Sequence, residues 1–143
     1  MNFLLLGSNE RSVLTFARSL DNKLYNNLHL CRLSSFKNIS CYSKYVKTSH
    51  FINLEKKDES FLKLKELVKI LNINSIIIFD DCFATLVYEN YDELRQYCDI
   101  IGPSRDSWKF ATDKFRIKEL CDGTDLLFPE SLLLSTKNFN SDV

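Results

Sequence analysis

Ile76-Ile77-Ile78-Phe79-Asp80-Asp81 is the stretch whose reading decides the fold. Four consecutive apolar residues, three of them β-branched, show neither the alternation of a half-exposed strand nor the length of a helix. They suit a short strand buried on both faces, and such strands belong to parallel sheets covered by helices. Just upstream, Asp58 opens a helix that sets Phe61, Leu64, Leu67, Val68 and Leu71 on one side and Lys63, Lys65, Glu66 and Lys69 on the other. A helix of that kind feeding a buried strand is a crossover unit.

The same grammar extends in both directions. Phe3 to Leu6 is a second continuous apolar run, stopped by Gly7. The loop Gly7-Ser8-Asn9-Glu10 leads into Val13, Leu14, Phe16, Ala17 and Leu20, an amphipathic helix capped by Ser8 or Asn9. Leu28 to Leu33 reads as the next strand, after the turn residues Asn26-Asn27. Ser34 to Thr48 reads as an ordered loop with tyrosines packed on the sheet edge, and His50 to Leu54 as the third strand. Beyond Asp81 come a helix around Ala84 to Asn90, a polar bend at Tyr91-Asp92-Glu93 and a fifth strand from Cys98 to Ile101. This alternation implies an α/β, doubly wound, mainly parallel sheet of about five strands with helices on both faces, a Rossmann-like arrangement.

Open sheets of this kind take ligands at the carboxyl ends of their strands, where the strand order reverses. That rule makes Ser8, Asn9, Asp80 and Asp81 the candidate lining of a substrate crevice. Each has a plainer reading beside it: Ser8 and Asn9 as helix caps, and one aspartate as the cap of the helix beginning near Phe83. No dinucleotide fingerprint is present, since Gly7 lacks the second and third glycines of G-x-G-x-x-G, and there is no G-x-x-x-x-G-K-[ST] loop.

Composition narrows the function classes. The 143 residues carry 45% hydrophobic and 27% charged side chains, an ordinary balance for a domain with a sizeable core. Nineteen basic and nineteen acidic residues cancel, so no general footprint for nucleic acid or an anionic membrane is expected. Cys31, Cys41, Cys82, Cys98 and Cys121 show no Cys-x-x-Cys spacing and are odd in number, which suits reduced thiols and a cytoplasmic setting. The Phe3 to Leu6 run is too short for a signal-peptide core and lacks a basic leader. Neither His29 nor His50 has a partner at metal-ligand spacing, so both are expected to be structural and no metal site is expected.

The C-terminal third has its own order. Gly102-Pro103 ends the fifth strand, Ser104 caps a following helix, Asp106 lies in its first turn, and Trp108, Ala111 and Phe115 form an apolar stripe. Asp113 and Lys114 fall away from that stripe, either as a solvated face or as a place where a lysine reaches a phosphate. Lys118-Glu119-Leu120 follows, and Phe128-Pro129-Glu130-Ser131 closes the run.

This ordered set resembles the end of the N-terminal, pre-ATP-grasp domain of ATP-grasp enzymes, in particular carbamoyl-phosphate synthase large-subunit-like proteins and carboxylate-amine ligases. The resemblance implies a Rossmann-like domain over residues 1–130 and the start of a linker over residues 131–143. It implies that Lys114 contacts an ATP phosphate and that acidic residues such as Asp80 and Asp81 face a small carboxylate or bicarbonate substrate. ATP and magnesium would then be bound mainly by an ATP-grasp domain C-terminal to this stretch. The phosphate lid, adenine hinge and magnesium ligands of the family have no counterpart in these 143 residues, so no catalytic residue is expected among them. Two other classes remain beside it: a non-catalytic nucleotide- or metabolite-binding module, and a receiver-like domain phosphorylated on Asp80 or Asp81. A receiver would carry its acidic pair after the first strand, where Gly7-Ser8-Asn9 stands.

Overall fold

A computed structural model of the protein describes residues 1–7, 10–20, 27–33, 35–122, 124–127 and 129. The chain forms two compact units, Met1–Gly102 and Pro103–Val143.

The first unit is built on five strands: β1 (Asn2–Leu6), β2 (Asn27–Arg32), β3 (Val46–Phe51), β4 (Ser75–Ile78) and β5 (Asp99–Ile101). Their order in the sheet is β3-β2-β1-β4-β5, and every pairing is parallel. Between them run α1 (Glu10–Ser19), a single 3-10 turn (Ile39–Tyr42), α2 (Lys57–Ile70), α3 (Asp81–Glu89) and α4 (Tyr91–Leu94). This is the α/β Rossmann-like arrangement expected from the alternating apolar runs.

β1 is central and buried on both faces, as its unbroken apolar run requires. Leu4 and Leu6 point to one side, where they join Cys31, Ile76 and the α2 and α3 residues Phe61, Leu64, Val68, Phe83, Leu86 and Val87. Phe3 and Leu5 point to the other, against Val13 and Ala17 of α1 and Leu28 and Leu30 of β2. Helices therefore cover both faces, and each face has its own apolar layer. The last turn of α2 closes through Asn72, at φ 47°, with the Ile73 amide donating to the Val68 carbonyl at 2.9 Å. Asparagine tolerates this left-handed position better than most residues.

Two boundaries differ from the sequence reading. The third strand runs from Val46 to Phe51 rather than from His50 to Leu54, so Val46 to Thr48 leave the expected loop. An edge strand with one paired side needs no continuous apolar run, and Lys47, Thr48 and Ser49 hide its identity. The expected bend at Tyr91-Asp92-Glu93 is a helical turn, α4, held by the Arg95 amide donating to the Tyr91 carbonyl at 3.0 Å.

In the second unit, the expected helix from Ser104 is two helices, α5 (Arg105–Thr112) and α6 (Lys114–Cys121). Asp113 breaks the run. Its backbone is extended and its Oδ1 accepts from the Phe115 and Arg116 amides at 3.1 and 3.3 Å. A short polar side chain offering its own hydrogen bonds to the backbone competes with helix continuation and favours a cap. Trp108, Ala111 and Phe115 thus lie on two helices, neither of which has a fully buried residue. Phe128, Glu130 and residues 131–143 lie outside the described residues.

Candidate functional site

From β1 the chain moves to β2 on one side, and after β3 it crosses to β4 on the other. The carboxyl ends of β1 and β4 therefore border the point where strand order reverses, the position at which open α/β sheets hold ligands. Gly7 and Phe79 follow these two strands. The Phe79 amide donates to the Leu6 carbonyl at 2.7 Å and the Gly7 amide to the Cys31 carbonyl at 3.0 Å, extending both ladders by one bond. A Cβ on Gly7 would stand 2.7 Å from the Phe79 Cβ, closer than side-chain atoms pack, so the glycine is what lets the two strand ends approach.

Asp80 and Asp81 come next. Asp80 is the N-cap of α3, its Oδ1 accepting from the Phe83 amide at 2.9 Å, and it is half-buried. Asp81 is exposed in the first turn of that helix, where a carboxylate complements the helix dipole. The pair is thus divided: one carboxylate is turned to the backbone of α3 and the other faces solvent. Ser8 and Asn9 lie outside the described residues.

Arg32, which sequence reasoning passed over, stands at the carboxyl end of β2 and is only 5% exposed. Its guanidinium donates to the carbonyls of Ser35, Phe36 and His50 at 3.1, 3.2 and 2.7 Å, and to Ser49 Oγ at 3.3 Å. These acceptors are neutral, so its positive charge is solvated by dipoles and not cancelled by them. It fixes the loop leaving β2 and brings positive potential to the carboxyl edge. The signal was an arginine at the end of an apolar strand run, which is costly unless every donor has a partner.

Beside it, the Cys31 thiol is pushed up to about 12 by burial, with the Arg32 charge opposing and the Asp80 charge adding to the shift. Cys31 is thus a packed apolar group, not a nucleophile. His29 and His50 are joined through Thr48: His29 Nδ1 and His50 Nε2 each lie 2.7 Å from Thr48 Oγ1. The hydroxyl has one proton, so it donates to one ring and accepts from the other. Burial lowers the pKa of both rings; His50 and Lys47 depress His29 further, and Arg32 depresses His50. Both rings are thus tied to β3 through one hydroxyl, an arrangement that the sequence did not show. Among the described residues no group of three or more metal-ligating side chains occurs.

Lys114 is the first residue of α6 and is exposed. It makes no ion pair among the described residues, whereas Arg116 pairs with Asp113 at 3.4 Å. A cation at the amino end of a helix is mismatched with the helix dipole. Because Asp113 takes the Phe115 and Arg116 amides, an anion here would be drawn by the Lys114 ammonium more than by the helix backbone.

All five cysteines are free thiols. No helix among the described residues is long and apolar enough to cross a membrane. The sequence matches no protein-family model and has no significant match among curated proteins.

Proposed function

We propose that this chain is the N-terminal, substrate-side domain of an ATP-grasp ligase of the carbamoyl-phosphate synthase-like or carboxylate-amine ligase kind. The reaction of such an enzyme is attack of a carboxylate or bicarbonate on the γ-phosphate of ATP, which breaks the β–γ phosphoanhydride bond, forms an acyl phosphate and releases ADP. An amine or ammonia then captures the acyl phosphate and releases phosphate. The residues of this chain supply positioning: the reversal-point edge between β1 and β4 faces the small substrate, with Asp81 at its solvent side. Lys114 contributes a phosphate contact. Magnesium neutralises phosphate charge in this chemistry, and its ligands belong to the ATP-grasp domain.

The observation that supports the reading most is Lys114, exposed and without an ion-pair partner among the described residues at the start of a helix capped by Asp113. It occupies the position in the ordered Asp-Lys set that the family resemblance assigns to a phosphate contact. The test compares Lys114→Ala with wild type in the protein that joins this domain to its ATP-grasp lobes. Loss of a charge-assisted phosphate contact should weaken ATP use by about 1.5 to 3 kcal/mol. Thermal stability should move by no more than about 0.5 kcal/mol, as for an ordinary surface change. Unchanged ATP turnover would remove Lys114 from the site, and a large fall in melting temperature would make it a structural residue.

The alternative, a non-catalytic nucleotide- or metabolite-binding module, makes the opposite prediction for the 143-residue chain alone. Calorimetric titration with magnesium-ATP should show little or no binding on the ligase reading. Tight binding by the chain alone would favour the module.

A further inference from the structure

The end of α1 and the chain just ahead of β3 enclose a depression of about 390 Å³ on the α1 side of the sheet. Leu14 and Arg18 border it from one face of α1, one turn apart, and Tyr42, Ser43, Lys44 and Tyr45 border it from the other side. α1 starts next to the carboxyl end of β1 and runs back along the sheet. Arg18 in its last turn and Tyr45 just before β3 therefore lie toward the amino ends of the strands. The depression is thus separate from the carboxyl-edge crevice.

Its chemistry combines cations with aromatic faces. Tyr42 is 74% exposed and Ile39, also on the rim, 67%, so the depression carries an exposed apolar patch. Lys44 Nζ lies 5.2 Å from the centre of the Tyr45 ring, and Lys37 Nζ 6.0 Å from that of Tyr42. Neither Arg18 nor Lys44 makes an ion pair among the described residues. Along the sequence, Lys37, Lys44 and Lys47 flank the two tyrosines, and no acidic residue occurs between Asp21 and Glu55.

The rim is also held in place before any ligand arrives. The Cys41 amide donates to the Asn38 carbonyl at 3.0 Å, Ser43 to Ser40 at 3.3 Å, and Val46 to Ser43 at 3.0 Å. Ser43 Oγ accepts from the Tyr45 amide at 3.4 Å. Consecutive turns of this kind fix where Tyr42 and Lys44 project, which lowers the ordering cost of binding.

We propose that this depression binds a small anion carrying a planar ring, an aromatic phosphate or carboxylate. Arg18 and Lys44 take the anionic group, and Tyr42 and Tyr45 flank the ring over the apolar floor at Leu14. Its volume lies within the usual range for small-molecule sites, roughly 300 to 1,000 Å³. A nucleic-acid strand, which would need an extended basic track beyond this depression, is the other outcome that the test distinguishes.

The experiment uses the intact 143-residue chain and phenyl phosphate as the probe, with amide chemical shifts to locate binding and calorimetry to measure it. Phenyl phosphate should perturb Leu14, Arg18 and Tyr42 to Tyr45. Phenol and inorganic phosphate should each bind at least about tenfold more weakly, a difference of about 1.4 kcal/mol. Arg18→Gln with Lys44→Gln, and separately Tyr42→Ala, should each weaken binding about tenfold or more at unchanged melting temperature. The proposal is overturned if these residues show no shift, if inorganic phosphate binds as well as phenyl phosphate, or if the variants bind like wild type. Oligothymidylate binding here with affinity that grows with strand length would also overturn it, and would make the surface a nucleic-acid site.

Discussion

Gly7 and Phe79 pack backbone against side chain so closely that the smallest possible addition, one Cβ on Gly7, would lie 2.7 Å from the Phe79 Cβ. The contact sits where the two central strands end, and Phe79 also meets Phe16 of α1 edge-on at 5.5 Å between ring centres. Phe79 is therefore not free to retreat.

Gly7→Ala should accordingly destabilise the first unit by about 1 to 3 kcal/mol, the usual range for forcing extra volume into a packed site. Chemical denaturation of wild type and variant measures it. A change within about 0.5 kcal/mol, typical of an unconstrained surface site, would mean that the strand ends yield easily.

The aspartate pair should separate under mutation. Asp80→Ala removes the α3 cap and should cost about 1 kcal/mol, whereas Asp81→Asn should cost no more than a few tenths, the exposed share of a dipole interaction. Equal losses in thermal melts would contradict the division of labour between them.

Acid should weaken the first unit through His29 and His50. Their folded-state pKa values are lowered, so the unfolded chain takes up protons first as pH falls below about 6.5. Stability is therefore complete above the unfolded value and declines as pH drops from there toward the folded values. Melting temperatures between about pH 8 and pH 5 should fall for wild type. The fall should be shallower for the His29→Gln, His50→Gln pair, and an equally steep fall in that variant would place the acid sensitivity elsewhere.

Thiol reactivity should follow burial. Cys82 is exposed, whereas Cys31 and Cys98 are buried, with thiols raised to about 12 and about 11. Alkylation of the native protein near pH 8, followed by mass mapping, should label Cys82 and spare Cys31 and Cys98 until denaturant is added. Early labelling of Cys31 would mean that the β1–β2 face opens readily.

The sequence disclosed the elements whose identity rests on burial. β1 and β4 are continuous apolar runs because both of their faces are covered, and the α2 stripe at Phe61, Leu64 and Val68 is buried as its spacing required. What it concealed depends on pairing. β3 is defined by its hydrogen bonds to β2, and the pairing shifts between Leu28 and His29. Only that register places Thr48 opposite His29 and His50 opposite Cys31, so the shared hydroxyl had no signature in spacing. Arg32 was hidden for the same reason: its acceptors are mostly carbonyls, which every residue has. Asp113-Lys114 was visible as a polar pair, but whether an aspartate interrupts a helix or decorates it depends on two amide hydrogen bonds that composition does not reveal.

The parallel order has a consequence for the chain as it is made. β1 lies against β4 with Phe3 opposite Ser75, a separation of 75 − 3 = 72 residues. During synthesis β1 must therefore wait, with one hydrogen-bonding edge open, until β4 has been made. An unpaired apolar edge is a template for wrong partners, and pairings this distant in sequence form slowly. Chains that stop before Ser75 would carry Phe3-Leu4-Leu5-Leu6 with no second neighbour, and aggregation, more than loss of a particular contact, would be the mark of interrupted synthesis.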